Sequence, residues 1–252
     1  MRRAAARSQC ANNLKQIALG LHNYADTYTP DQTPAGQPRG FPAGTIPSSS
    51  LSPEQRLSWY VEVLPFLEQV NLHLRFDRER GWNDPANESA ARMPLKLLYC
   101  PDWGREADPN PPYLTAYLGI AGLGADAATL PAHDRRAGVF GYDRRISPRE
   151  IPDGTSTTLV ILESARDNGP WAQGGPATVR GLVPGEQAYL GVGRPFGGTH
   201  FGENSVFGKG KSLGCNAALA DGSVRFLTES ISPNVLEATV TTAGGEEIGA
   251  DW

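Results

Sequence analysis

The sequence is defined first by what it lacks. No run approaches the roughly 18 consecutive apolar residues that a membrane-spanning helix needs. Arg2, Arg3 and Arg7 look like the charged start of a secretory signal, but no apolar stretch follows them. Basic residues are not in excess, and the formal net charge is -4, which argues against a nucleic-acid surface. The three cysteines, Cys10, Cys100 and Cys215, form no CxxC motif, so a zinc knuckle or a thioredoxin motif is excluded. Residue spacing alone leaves two states open for them: one pair with a free thiol, or three buried thiols. The histidines His22, His73, His133 and His200 never stand at HxxxH spacing, so there is no zincin helix. There is no G-x-S-x-G elbow and no internal repeat.

Phosphate-binding signatures are also incomplete. Gly208-Lys209-Gly210-Lys211-Ser212 resembles the end of a phosphate loop, but Ser205 stands where its first glycine belongs. It reads as a basic loop. Gly122-Leu123-Gly124 and Gly191-Val192-Gly193 lack the third glycine and the strand–helix setting, and read as turns.

What is present is a folded-protein composition: 252 residues, 39% hydrophobic and 20% charged. That is enough for one large domain. Cys10, Leu14, Ile17, Leu21, Tyr24 and Tyr28 recur at intervals of four and three, which puts them on one face of a helix. Asn12, Lys15, Asn23 and Asp26 occupy the other face, and Pro30 ends the helix. Ser52-Pro53-Glu54-Gln55 has the pattern of a helix start, with Leu57, Tyr60, Val61 and Leu64 following and Pro65 as a kink or restart. Asn83-Asp84-Pro85 opens a shorter helix toward Ala91. Short β-prone segments then follow at Leu95–Cys100, Tyr113–Gly119, Gly138–Tyr142 and Thr157–Glu163. Asn216–Ala220 and Ser223–Leu227 flank Asp221-Gly222 as a hairpin with a two-residue turn. Ser232-Pro233 starts a last helix to about Val240. Helices first and strands later predict an α+β fold, with the long helix laid on an antiparallel sheet.

Three features carry candidate chemistry. Asp153-Gly154 and Asp221-Gly222 are paired turns whose plain reading is Asp capping with Gly at positive φ. Their carboxylates, joined by Glu163 or His200, form the oxygen-rich set a calcium ion would take. Trp171, in a Gly-rich loop, and His200 are the candidate binding residues; folding back on its own domain is the commoner fate of a loop aromatic. His200 could also serve as a general base, if a nucleophile stands within hydrogen-bond reach.

Five segments, in order, resemble one family. Ser8-Gln9-Cys10-Ala11-Asn12-Asn13-Leu14-Lys15-Gln16-Ile17 with Leu21-His22-Asn23-Tyr24 comes first. Leu57-Ser58-Trp59 through Leu64-Pro65-Phe66-Leu67-Glu68-Gln69 is second, and Tyr99-Cys100-Pro101 third. Asp153-Gly154-Thr155-Ser156-Thr157-Thr158 with Trp171 to Arg180 is fourth, and Asn216 to Ile231 is last. They are similar to a pilin-like (pseudopilin-like) family of unknown function abundant in planctomycete bacteria, also catalogued as a bacterial solute-binding family. Its C-terminal domain is named for a His, nine residues and Asp-Gly. Here twenty residues separate His200 from Asp221, an insertion around Glu203–Gly214 with Cys215 at its edge.

The resemblance implies a prepilin-type leader and an apolar membrane helix upstream of the segment seen here. Residues 1–30 would then be the membrane-distal part of a spine, and Arg2, Arg3 and Arg7 would lie near the membrane boundary. Residues 31–252 would form a loop-rich globular pilin-like domain, with the His/Asp-Gly region at 195–252. The resemblance further implies a Cys10–Cys100 disulfide, an extracytoplasmic location and a non-enzymatic structural or assembly role with no required cofactor. Partners would be other pilin-like subunits or a type II secretion or type IV pilus-like apparatus, with no nucleic acid. A solute- or glycan-binding module is the alternative, and a hydrolase using His200 the third.

Overall fold

The computed structural model describes residues 2–27, 40–101, 113–185, 188–191, 193–197, 200–201, 213–246 and 248. The first element, α1 (Arg2–Thr27), follows the predicted period: Cys10, Leu14, Ile17, Leu21 and Tyr24 are each at most 1% exposed. Tyr28, the sixth residue of that stripe, lies outside the described residues, as does the basic loop 208–212. Asn12, Lys15, Asn23 and Asp26 face solvent. Gly20 lets α1 pass close to the next helical segment: a Cβ there would stand 2.8 Å from a terminal methyl of Leu67, which would have to shift. Among the described residues no helix is long and apolar enough to cross a membrane.

The sheet has six strands: β1 (Tyr117–Leu123), β2 (Leu159–Glu163), β3 (Val179–Leu182), β4 (His200–Phe201), β5 (Leu213–Leu219) and β6 (Val224–Thr228). Their order is β3-β1-β2-β5-β4, with β6 also paired to β5. The fold is α+β as predicted, but the sheet is mixed: β3 runs parallel to β1, and the other pairs are antiparallel. Helix α1 lies against β4, β5 and β6. Strand alternation divides the apolar residues between two cores. Tyr117, Ala121, Val160, Ala218 and Ala220 face the α1 side. Leu118, Ile120, Leu159, Leu162, Cys215, Ala217 and Leu219 face the other, where Leu236 of α5 (Pro233–Thr239) and Val240 cover them. Glu163 and Asn216 are also buried, 2% exposed each.

Several predicted elements form differently. Ser52 does not cap a helix. Residues 52–56 make a turn in which Gln55 Oε1 accepts from Ser52 N–H, and helix α2 (Trp59–Val63) starts only after Ser58. Leu57 and Ser58 are held extended by bridges to Gln173 and Thr45, which delay the helix. Pro65 sits inside a 3-10 turn, Leu64–Leu67, before the short α3 (Val70–His73). Asp84 caps α4 (Pro85–Ala91) as expected, accepting from Ala86 N–H at 2.9 Å. Leu95–Cys100 is not a strand but contains a 3-10 turn at Lys96–Leu98. The Asp221-Gly222 hairpin has a three-residue loop. Leu219 N–H donates to Ser223 O, Gly222 N–H donates to Leu219 O, and Gly222 takes φ +82°.

Gly138–Tyr142 forms no strand; a buried arginine holds it instead. Arg144 donates to the carbonyls of Gly138 (3.1 Å), Ala127 (2.8 Å), Leu130 (2.7 Å), Ala121 (2.5 Å) and Phe140. Burial pulls its pKa down to about 10. Elsewhere, buried Glu62 receives the Tyr24 hydroxyl, Arg145 at 3.2 Å and Arg78, tying α1 to α2.

Candidate functional site

Four residues from separate parts of the chain converge between α1 and the sheet. Cys10 sits in the buried stripe of α1. Cys100 follows the 3-10 turn at Lys96–Leu98. That turn is fixed to the approach to β1 by Ala116 N–H donating to Leu98 O, and to α1 by Asn13 Nδ2 donating to Tyr99 O. Glu163 ends β2, and His200 begins β4. Their ligand atoms all lie within 4.8 Å of one another, and all four residues are buried. Cys10 Sγ is 2.7 Å from Cys100 Sγ. His200 Nε2 is 3.3 Å from Cys100 Sγ and 3.3 Å from Glu163 Oε1. The other oxygen of Glu163 accepts from Asn216 N–H at 2.5 Å and from Asn216 Nδ2 at 3.1 Å.

The disulfide implied by the family resemblance is not formed: both thiols are free. The two sulfurs are juxtaposed, but their separation exceeds the roughly 2.05 Å of an S–S bond. The hydrogen bond to Cys100, and then burial, push the Cys10 thiol up. The bond from Cys10 and the contact with His200 pull Cys100 down to about 7 against its burial. At His200, burial opposes the charged form, but the hydrogen bonds with Cys100 and Glu163 outweigh it and raise its pKa to about 10. The pair is thereby biased toward a Cys100 thiolate beside a His200 cation.

A nucleophile thus does stand within reach of His200, in the form of Cys100. The arrangement is nevertheless not a relay. In a nucleophile–His–carboxylate triad the two partners use opposite ring nitrogens, whereas here Cys100 and Glu163 face the same one. The four residues are also 0–4% exposed.

The remaining predicted site residues have structural placements. Trp171 is a core residue and not a binding aromatic, at 0% exposure. Its indole N–H donates to Met93 O at 3.0 Å and its ring meets Phe76 edge-on. Asp153 caps the segment at Gly244 and Gly245, whose N–H groups it accepts at 2.8 and 3.1 Å. Asp221 accepts from Ser223 N–H at 2.8 Å. The two turns abut through Asp221 N–H and Thr155 O, with Gly154 at φ +93°. Neither aspartate belongs to the quartet, so Glu163 and His200 meet two sulfurs in place of two carboxylates.

An open groove of about 510 Å³ runs beside β6, lined by Arg225, Phe226, Thr228, Ser230, Ser232 and Val235. Sequence reasoning did not identify it.

No curated protein and no solved structure matches the chain. A family model does, and it spans every residue of the quartet. Described as "Protein of unknown function (DUF1559)", it matches residues 1–234, and the chain belongs to that family.

Proposed function

We propose that the protein is a pilin-like extracytoplasmic structural or assembly protein, with α1 as the membrane-distal part of a longer spine. One observation carries this reading. Helix α1 is already formed before Cys10, the first residue of its buried stripe, while Ala4, Ala5, Ser8 and Gln9 remain exposed. A helix that only completed a core would have no reason to continue beyond the body it packs on. The stretch of α1 from Cys10 onward carries the buried stripe against β4, β5 and β6, and the exposed residues of the turns before it, where Arg7 lies over Phe226, suit a rod fixed at one end. An upstream apolar segment would supply the anchor, and neighbouring pilin-like subunits or a secretion or pilus-type apparatus would be the partners.

The quartet fits this non-enzymatic reading, because all four of its residues are buried. The solute-binding alternative loses its aromatic, since Trp171 is in the core; it would have to use the open groove beside β6. The test is to isolate the native gene product and determine its N-terminus, its membrane association and the proteins recovered with it. Processing after a short leader and co-recovery with pilin-like subunits are the expected results. An unprocessed protein found outside membranes and without such partners would overturn the proposal.

A further inference from the structure

We propose that Cys10, Cys100, His200 and Glu163 form a closed, four-ligand site for a thiophilic divalent cation of the zinc class, which clamps α1 to the sheet. The inference does not depend on the pilin-like reading. It begins with direction. One nitrogen, His200 Nε2, faces both Cys100 Sγ and Glu163 Oε1 at 3.3 Å, and Cys10 Sγ completes the group. Four donors aimed at one point are what coordination requires, whereas proton relay requires them in line.

Distance agrees with this. Zinc bonds of about 2.3 Å to sulfur and 2.0–2.2 Å to nitrogen or oxygen give tetrahedral edges of roughly 3.2–3.8 Å. The two His200 contacts already have that length. The sulfurs, at 2.7 Å, would have to part by about 1 Å. Orientation agrees as well: Asn216 holds Glu163 Oε2 through its backbone N–H and Nδ2, leaving Oε1 turned into the quartet. A ligand carboxylate fixed from behind by such bonds is the usual outer shell of a metal site.

Charge and donor type select the ion. Two thiolates, a neutral imidazole and a carboxylate carry three negative charges, which a divalent cation reduces to one. The proton of the Cys10 thiol and that of the His200 imidazolium pass to solvent on binding. Buried carboxylate and thiolate groups need such compensation. Sulfur and imidazole donors suit zinc and do not suit calcium, which takes oxygen. Four protein ligands leave no open position, so the role is structural.

The test uses the full chain, reduced and freed of metal, and titrated with Co(II). The expected result is one Co(II) per chain with a thiolate-to-cobalt charge-transfer band, displaced by Zn(II), and a melting temperature that falls when chelator removes the metal. Asn216→Ala keeps all four ligands and is expected to weaken zinc binding by about 10–100-fold. Cys215→Ser lies outside the quartet and should leave the cobalt spectrum unchanged. Cys10→Ser and His200→Gln should lose the band. If either fails to fold, the wild-type spectrum and Asn216→Ala decide. A folded, reduced wild-type chain with no thiolate–cobalt band overturns the proposal, as does a Cys10–Cys100 disulfide that persists under reductant.

Discussion

Cys10 on the first helix and Cys100 ninety residues later meet with their sulfurs 2.7 Å apart, sealed from solvent at 0% and 4% exposure. Cys215 is equally buried, and burial followed by the Glu163 charge pushes its thiol well up. Burial keeps a bulky reagent from all three sulfurs, and Cys10 and Cys215 are held protonated besides. In the reduced native protein, an aromatic disulfide reagent should therefore titrate almost no thiol within minutes, and three after denaturation. Rapid native reaction of Cys100 would mean that the quartet opens to solvent.

Glu62 is the acceptor for three donors, Tyr24, Arg145 and Arg78, and only Arg78 among them is substantially exposed. Glu62→Gln leaves the buried Arg145 guanidinium without its counter-charge and should cost about 3–5 kcal/mol in urea unfolding. Tyr24→Phe removes one hydroxyl and should cost about 1 kcal/mol. Similar losses for the two variants would show that the ion pair is not the dominant contact.

Arg144 serves five carbonyls and no carboxylate. Lysine keeps the charge but has three donors and no planar fork. Arg144→Lys should therefore behave nearly like Arg144→Met, each losing about 3 kcal/mol or more by denaturant titration, since both orphan buried carbonyls. Recovery of wild-type stability by lysine would show that charge, and not geometry, holds the Gly138–Tyr142 segment.

Trp171 fills the core between Phe76 and the Met93 carbonyl. Trp171→Ala should lower stability by about 3–5 kcal/mol. Trp171→Phe should lose less, chiefly the indole hydrogen bond at about 1 kcal/mol. Glycan or peptide binding that vanished in a Trp171→Phe protein of unchanged stability would return this residue to a ligand site.

The elements legible in the sequence are those whose cause is local. The α1 stripe repeats over several turns, Asp84 caps its own helix, and Asp221-Gly222 turns its own hairpin. The illegible ones depend on distant partners. Leu95–Cys100 has β-prone side chains, yet it folds as a turn because α1 and the start of β1 hold its carbonyls. Strand β3 is four residues with half-exposed Arg180 and Gly181, too short to alternate convincingly, and its parallel mate β1 lies some sixty residues earlier. Strand β4 has only two residues.

The quartet shows the same division. Each of its members stood out separately: a cysteine in an apolar stripe, a cysteine before a proline, a carboxylate closing Leu159–Glu163, and a histidine. Nothing in their spacing joins them, since their proximity is created by the sheet. One signal was available in Glu163 itself, because a carboxylate ending a fully buried strand must have a partner.

The placement of α1 bears on when the molecule can fold. The Asn216 amide reaches back across 209 positions to the Arg7 carbonyl, and β4, β5 and β6, which lie against α1, all come after residue 199. The helix is made first and its strand partners β4, β5 and β6 last, so the part of its apolar face that meets them stays uncovered until they emerge. A chain released before β5 and β6 emerge should remain open, protease-sensitive and dependent on a holdase. Strands β4, β5 and β6 act as the latch that closes over α1.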